Sequence, residues 1–434
     1  MRLGKVLTVK VRRWLDHTPV WRLFVLVLLI GATVRIGALT LSPSKYVQIL
    51  EEGVEARNIA LSLARTGDFA DPFSVPTGKT AHLEPVAPFL SSLIYRTWGT
   101  GGRADHVRGV VCALVSTVTC GLTMLFGIEI GLGRLVSLCA GTIAALAPQG
   151  TQLLSDLTEL NGCLGGALFI CAVIVMLRAA RNGPTPLRLT ASGVLCGLTI
   201  LTWNALLAPL AILMVCAVLP VNWSPLRLPL KSVILMTLSA SFVVIPWSVR
   251  NLLVFHQWVT VRSNLGLEFR LAQNDLGNAS MQQIHPANSP ETRELIRRLG
   301  EPAAYAALGR DGLEWVRAHP IEFVKNTLER VVDFWIPRGI WYDPAPQIVG
   351  LRAAGPALRY AASFAVTLGA LCGFLLLVIR KHPAAVIVGI LWLTFPTVYY
   401  LVRSNSRYQQ PIAFSFYLMA SVPVSVVLRK YLSE

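Results

Sequence analysis

Residues 21–41 read WRLFVLVLLIGATVRIGALTL, an apolar run long enough to cross the hydrocarbon core of a bilayer as one helix. The run is longer than the core of a secretory signal peptide and shows no small-residue cleavage site, so we expect a retained membrane span. Basic residues before it indicate a cytoplasmic N-terminus by the positive-inside rule. We expect the side chain of Arg35, near the far end of the span, to extend to the lipid headgroups, with contact to an anionic ligand as the alternative.

The composition of the whole chain extends this prediction. Of its 434 residues, 54% are hydrophobic and 14% are charged, and the mean hydropathy is +0.57. A chain with this composition is far too apolar to be a soluble enzyme of this length. We therefore predict an all-α polytopic membrane protein.

The net charge of +16 does not indicate nucleic-acid binding, because Lys and Arg cluster beside apolar runs, as topology signals and lipid contacts do. The eight cysteines lie in or beside the same runs, so neither a disulfide framework nor a zinc site is expected.

Further apolar runs lie at 109–128, 135–151, 160–177, 189–203, 205–221, 232–249, 356–379, 383–402 and 409–428. With the first run they predict about ten membrane-spanning helices, some of them short, and both termini in the cytoplasm. The chain then divides into an N-terminal transmembrane module (1–249), an outer helical region (250–355) and C-terminal transmembrane helices (356–434). In the outer region we predict helices at 290–299 and 303–318, and a third from 320 to about 335.

Residues 42–108 form the first outer loop, which several prolines and glycines divide into short pieces. The spacing of Ile59, Ala60 and Leu63 predicts an amphipathic helix over 44–65, lying along the membrane surface. Its acidic side carries Glu52 and Glu55. Carboxylates in a first helical turn also favour the helix dipole, so the residues alone leave both chemistry and ordinary solvation open.

A second acidic turn, SDLTELN, lies between the third and fourth predicted spans and carries Asp156 and Glu159. The predicted topology brings it to the same side of the membrane as Glu55. Simple loop solvation and a joint site with the first outer loop are both open readings.

Several segments, in order along the chain, resemble bacterial membrane glycosyltransferases of the GT-C superfamily, such as protein O-mannosyltransferase and aminoarabinose transferase. The segments are GVEARNIALSLARTGDFADPF (53–73), TGKTAHLEPVAPFLSSLIYRTWG (77–99), VVIPWSVRNLLVFHQWVTVRSNLGLEF (243–269), the region 299–335 and RYQQPI (407–412). The resemblance implies inverting transfer of a sugar from a polyprenyl-phosphate carrier to a lipid, glycan or protein acceptor. The reaction would take place at the periplasmic face of a bacterial inner membrane.

In the family that this sequence resembles, an acidic residue of the first outer loop acts as the general base. Matching Ile59 and Leu63 to the family pattern implies Glu55 for this role, with Glu52 as the alternative. Glu159 matches an acidic residue of the second outer turn and completes the catalytic candidates.

The leaving group of such a reaction is a lipid phosphate, which cations would stabilise. The substrate-binding candidates are Arg57, Lys79, His82, Glu84, Asp156, Arg250, Arg262, Arg407 and Tyr408. Lys79, His82 and Glu84 depart from the residues that close members of the family carry, which leaves the identity of the sugar or acceptor open.

No cofactor is assigned, and a divalent metal bound by first-loop carboxylates and His82 remains open. The competing functions are a transporter or flippase of lipid-linked sugars and a non-catalytic relative that only binds them. Transport is disfavoured because nearly all carboxylates lie in loops and no inverted repeat is evident.

Overall fold

The computed structural model describes residues 14–15, 17–41, 55–146, 157–219, 225–276, 280–336, 351–404 and 406–433. Glu52 and Asp156, two of the predicted site residues, lie outside these ranges.

The described part of the chain is helical. The helices of the N-terminal half are α1 (Val20–Leu41), α2 (Glu55–Thr66), α3 (Val86–Trp98), α4 (Gly102–Glu129), α5 (Arg134–Leu146), α6 (Leu160–Asn182), α7 (Pro186–Ile200) and α8 (Leu207–Val218). Those of the C-terminal half are α9 (Leu230–Phe255), α10 (Leu265–Ala272), α11 (Ser280–Gln283), α12 (Pro290–Leu299), α13 (Glu301–Ala318), α14 (Pro320–Trp335), α15 (Leu351–Ile379), α16 (Ala384–Thr394), α17 (Thr397–Leu401) and α18 (Ala413–Ser433). Short 3₁₀ helices at Asn204–Leu206 and Ser406–Ile412 precede α8 and α18.

Six stretches of the described chain are long and apolar enough to cross a membrane: α1, α4, α6, α9, the Ala361–Ile379 part of α15, and Ala384–Leu401. The helices α5, α7 and α8 are shorter and apolar, as their short runs in the sequence predict. Pro396 separates α16 from α17 inside one predicted run, because proline cannot donate a helical hydrogen bond. The predicted class, an all-α polytopic membrane protein, is confirmed.

Arg35 does not extend to the headgroups, and this expectation was wrong. Its side chain is 2% exposed, and its Nε donates to Ser116 Oγ of α4 at 2.6 Å. Its two terminal nitrogens donate to the carbonyl oxygens of Ala145 and Ala144 at 2.9 and 3.3 Å. These carbonyls belong to the last turn of α5, where a helix lacks internal donors, so the guanidinium finds better partners inside the protein than at the surface.

The first polar segment is organised around α2, whose described part begins at Glu55. Ile59 and Leu63 are buried, so the apolar side of the predicted amphipathic helix packs against protein. After α2 the chain turns back on itself through an isolated antiparallel bridge between Ala70 and Lys79. We call residues 68–85 the first-loop turn.

The second polar segment contains the predicted helices as α12, α13 and α14, with boundaries within two residues of the predictions. Glu301, the first residue of α13, joins this segment to the first-loop turn. Its carboxylate accepts hydrogen bonds from the amide of Ala81 at 2.8 Å, from Ser263 Oγ at 2.6 Å and from the hydroxyl of Thr80. Because Glu301 is buried, these donors hold two separate loops in a defined relative position.

Two glycines of α6 allow the 3₁₀ helix Ser406–Ile412 to approach closely. A Cβ atom on Gly166 would lie 2.8 Å from the carbonyl oxygen of Pro411, and one on Gly162 would overlap the side chain of Gln410. The N-terminal end of α6 and the 3₁₀ helix are therefore in direct backbone contact.

Candidate functional site

A cavity of about 490 Å³ lies where α2, the first-loop turn, α10, α17 and the 3₁₀ helix Ser406–Ile412 meet. Among the described residues, its acidic and basic lining consists of Glu55, His82, Glu159, Arg262, Glu268 and Arg407. The aromatic side chains of Trp203, Phe395, Tyr399 and Tyr408 form much of the remaining wall. Charged groups and aromatic rings thus share a single concave site, which is typical of a binding pocket for a polar ligand.

The aromatic wall is held by specific contacts. The rings of Tyr399 and Tyr408 stack with their centres 4.7 Å apart. Trp203 Nε1 donates a hydrogen bond to the hydroxyl of Tyr399 at 2.7 Å. These contacts fix flat apolar surfaces on one side of the cavity before any ligand binds.

Glu55 is the first described residue of α2 and lines the cavity. Burial raises the pKa of its carboxyl group above the ordinary value; the positive charge of Arg407 opposes this rise and the negative charge of Glu268 adds to it. A carboxyl group with a raised pKa binds a proton more readily when it is ionised, which is the property of a stronger general base.

Glu159 and Arg407 form an ion pair in the cavity wall. Arg407 Nη1 donates to Glu159 Oε1 at 3.0 Å, and the guanidinium also lies over the ring of Tyr408, 5.4 Å from its centre. The side chain of Glu159 is 13% exposed and that of Arg407 is 41% exposed. The arginine is therefore held by its carboxylate partner while part of its surface still faces open space.

Arg262 is the second cation of the cavity. Its Nη1 donates to Glu84 Oε1 at 3.2 Å, and its Nε donates to the carbonyl of His82 at 3.1 Å. Glu84 Oε1 also accepts a hydrogen bond from the backbone amide of Asn204 at 2.8 Å. Glu84 is buried behind the cavity wall, where it holds Arg262 in place rather than lining the site itself.

His82 is 1% exposed and its ring lies among other aromatic groups. The hydroxyl of Tyr305 lies 3.4 Å from His82 Nδ1, and the ring of Phe73 packs edge-on with centres 5.1 Å apart. Burial, reinforced by the charges of Arg262 and His285, holds the pKa of His82 well below its ordinary value. This environment favours the neutral form of the imidazole.

Glu268, in α10, lines the cavity and was missed in the sequence analysis. Asn264 Nδ2 donates to Glu268 Oε1 at 3.3 Å, and burial raises the pKa of the carboxyl group, against the opposing charges of three arginines. The sequence does contain a signal for it, because Glu268 is the single acidic residue of the largely apolar stretch LGLEFRLA (265–272).

Three predicted substrate-binding cations do not line the cavity. Arg57 makes two hydrogen bonds to Asp105, at 2.9 and 2.7 Å. Arg250 donates to the carbonyls of Thr80 and Phe69 in the first-loop turn. The side chain of Lys79 is 56% exposed and lies 3.6 Å from Asp68. Arg57 and Arg250 therefore stabilise the first polar segment.

The part of the chain that the structure describes contains no recognisable metal site. Within the described ranges, no three His, Cys, Asp or Glu side chains are grouped closely enough to hold a metal ion. Glu159, a natural candidate for a ligand, has its carboxylate directed at Arg407 instead.

A larger apolar groove of about 660 Å³ lies beside the cavity, between α7, α8 and α9. None of the described residues that line the groove is charged. Leu207, at the start of α8, lines both the groove and the cavity. A ligand with a polar head and a long apolar tail would therefore find matching surfaces side by side.

Comparison with known proteins reveals similarity in structure only. The sequence matches no family profile, and no curated protein sequence matches it significantly. The oligosaccharyltransferase of Archaeoglobus fulgidus, in its apo form, aligns with 96% of this chain and 51% of its own length, at 15% identity and a TM-score of 0.57. The same values describe that enzyme, AglB, in complex with an inhibitory peptide and a dolichol-phosphate.

ArnT from Cupriavidus metallidurans, bound to undecaprenyl phosphate, aligns with 93% of this chain and 77% of its own, at 14% identity and a TM-score of 0.36. The chain spans about half the length of the archaeal oligosaccharyltransferase. Over 96% of its own length, this chain shares the fold of part of that enzyme, which agrees with the fold that the resemblance to GT-C glycosyltransferases implies.

Proposed function

We propose that this protein is an inverting glycosyltransferase that moves a sugar from a polyprenyl-phosphate carrier to an acceptor hydroxyl, with Glu55 as the general base. The observation that carries this proposal is that Glu55, Arg262 and Arg407 line the same cavity. A base for the attacking group and cations for a leaving phosphate are the groups that this reaction requires.

In the proposed step, the acceptor oxygen attacks the anomeric carbon while Glu55 takes the proton from that oxygen. The new bond from carbon to the acceptor oxygen forms as the bond from carbon to the phosphate oxygen breaks, on the opposite face of the sugar. The bonding electron pair leaves with the polyprenyl phosphate. The raised pKa of Glu55 favours proton transfer, provided that the carboxyl group starts ionised.

Arg407 and Arg262 would stabilise the charge that grows on the leaving phosphate. Both already have a carboxylate partner, Glu159 for Arg407 and Glu84 for Arg262, so neither has to be ordered when the substrate binds. Preorganised charges in a site with little water stabilise a transition state more strongly than mobile ones. The guanidinium groups of the two arginines therefore favour a phosphate at this position over a neutral leaving group.

The polyprenyl chain of the donor would lie in the apolar groove that meets the cavity at Leu207. The archaeal oligosaccharyltransferase has been solved with a dolichol-phosphate, which supports a lipid phosphate as the donor for this fold. The sugar would pack against the aromatic wall formed by Trp203, Tyr399 and Tyr408. By the positive-inside rule the reaction would take place at the outer face of the membrane, the periplasmic face if the host is a bacterium.

The test is turnover by the purified full chain in lipid nanodiscs with a panel of polyprenyl-phosphate sugars, measured as release of polyprenyl phosphate in the presence of membrane extract as acceptor. We expect Glu55→Gln to lower the rate by about 10²–10⁴, with donor binding retained. Glu314→Gln, a change at an exposed carboxylate of α13, is the matched control and should keep full activity.

Undiminished turnover in Glu55→Gln would remove Glu55 as the base. If the wild type releases no polyprenyl phosphate from any donor, the glycosyltransferase proposal fails. Movement of a fluorescent lipid-linked sugar across proteoliposome membranes would then favour a flippase.

A further inference from the structure

Two buried arginines hold the chain at the end of α5 and within the second acidic turn. Arg35 of α1 donates to the carbonyls of Ala144 and Ala145, in the last turn of α5. Arg108 of α4 donates from Nη2 to the carbonyl of Thr158, the residue immediately before Glu159. Each arginine is 2% exposed. One therefore holds the chain as it leaves α5, and the other holds it as it enters α6.

The two contacts share a common support. Arg35 Nε donates to Ser116 Oγ at 2.6 Å, and Ser116 belongs to α4, as Arg108 does. At 1.5 Å per residue, Ser116 lies about 12 Å along α4 from Arg108. The helix α4 is therefore in contact with both arginine sites and fixes the distance between the end of α5 and the start of α6.

Burying a cation inside a membrane protein is costly unless hydrogen bonds replace the lost water. Backbone carbonyls at the end of a helix and in a turn are suitable acceptors because they have no helical donor. Each arginine therefore holds a backbone segment through hydrogen bonds that are shielded from water.

Resting on the proposed function above, we propose that Arg35 and Arg108 are positioning residues that set Glu159 against Arg407. Glu159 follows Thr158 directly, and its Oε1 accepts the hydrogen bond of Arg407 Nη1 at 3.0 Å. Displacing the backbone at Thr158 moves the carboxylate, and the guanidinium of Arg407 then loses the partner that directs it into the cavity. The two arginines thus act on the leaving phosphate without contacting it.

The alternative is that these arginines only stabilise the fold, and Arg134 provides the matched control for this role. Arg134 begins α5, at the end opposite to Ala144, and its Nη1 donates to the carbonyls of Leu15 and Thr18 at 2.8 and 3.1 Å. Arg134→Gln therefore removes the same kind of arginine-to-carbonyl contact from the same helix, but far from Glu159.

A double-mutant cycle on donor turnover separates the two roles. We expect Arg108→Gln and Glu159→Gln each to lower kcat by about tenfold or more, with a smaller change in the KM of the donor. The double variant should be no slower than the slower single variant, because both changes disable the same contact. Arg134→Gln should leave kcat unchanged and combine additively with Glu159→Gln. Additive losses for Arg108 and Glu159 would overturn the proposal.

Hydrogen exchange of the backbone amides at 157–161 provides a second readout that needs no activity. Exchange there should rise in Arg35→Gln and Arg108→Gln, and stay unchanged in Arg134→Gln. If a glutamine variant does not fold, the lysine variant at the same position retains a donor and is measured in its place. Unchanged exchange in these variants overturns the positioning role. This readout does not depend on activity, so it is distinct from the failure of the proposed function, which would show as a wild type that turns over no donor.

Discussion

Arg407 Nη1 lies 3.0 Å from Glu159 Oε1, although 248 residues separate the two in the sequence. The contact joins the 3₁₀ helix before α18 to the residue that precedes α6. Glu159 was predicted as a catalytic residue and Arg407 as a substrate-binding residue, and the contact places them side by side in the lining of the cavity.

Replacing Arg407 should lower donor turnover more than it lowers stability. We expect Arg407→Gln to reduce kcat by about 10²-fold, the usual cost of removing a preorganised donor from a developing charge. Arg407→Lys should recover part of the rate, since it retains the charge but loses the planar fork. Arg317→Gln, at an exposed arginine of α13, is the control. Wild-type turnover in Arg407→Gln would rule out a role at the leaving phosphate.

The pH dependence of turnover should report the raised pKa of Glu55. Because the base must be ionised, kcat/KM should fall as the pH drops through this pKa, with a midpoint above the ordinary carboxyl value of 4.5. Glu268→Gln should move the midpoint to lower pH, since the charge of Glu268 raises the pKa of Glu55. Residual activity in Arg407→Gln should show a midpoint at higher pH. A midpoint at or below 4.5 in the wild type contradicts the assignment.

Glu268→Gln should also change stability in a pH-dependent way. The pKa of Glu268 is raised in the folded protein, so the folded state binds more protons than the unfolded state just above the ordinary carboxyl value. Below the ordinary carboxyl value of 4.5, protonation of Glu268 stabilises the folded state fully. This stabilisation is lost as the pH rises through the raised pKa. The variant, which cannot ionise, should therefore melt at a higher temperature than the wild type at pH 8.

The stability difference between Glu268→Gln and the wild type should shrink towards pH 4.5. Thermal unfolding in detergent, followed by tryptophan fluorescence at both pH values, measures it. A variant that is less stable than the wild type at pH 8 would show that the ionised carboxylate is favourable where it lies.

Two of the predicted substrate-binding cations outside the cavity should behave differently from Arg407. Arg57→Ala breaks a largely buried pair with Asp105 and should destabilise the protein by about 3–5 kcal/mol. Lys79→Ala removes an exposed contact and should change stability by about 0.5 kcal/mol or less. Neither should alter the KM of the donor in the folded protein. A large rise in KM for Lys79→Ala would place the donor beyond the cavity described above.

The sequence predicted the elements of this fold well, because apolar periodicity and proline position are local signals. Pro320 begins α14 as expected, and the short runs at 189–203 and 205–221 are short helices. The similarity of residues 53–73 to the first outer loop of GT-C enzymes directed attention to Glu55, which does line the cavity.

The remaining features depend on contacts between distant parts of the chain. Arg35 is buried because the end of α5 offers it carbonyl partners. The sequence around residue 35 gives no indication of this contact with a helix about 110 residues away. Glu268 enters the cavity because α10 packs against α13, which begins only at Glu301. Glu84 stands out in the sequence as a departure from close members of the family, yet its observed contact is a hydrogen bond that holds Arg262.

The close approach of Gly162 and Gly166 to the 3₁₀ helix implies that the cavity depends on positions with no chemistry of their own. Alanine at residue 166 adds a single methyl group that must push the carbonyl of Pro411 away. That shift would carry Arg407, four residues earlier, away from Glu159 while leaving every charge in the cavity intact. A mutational scan of this protein should therefore record intolerance at these two glycines as a loss of activity, and a search for functional residues by side-chain type would pass them over.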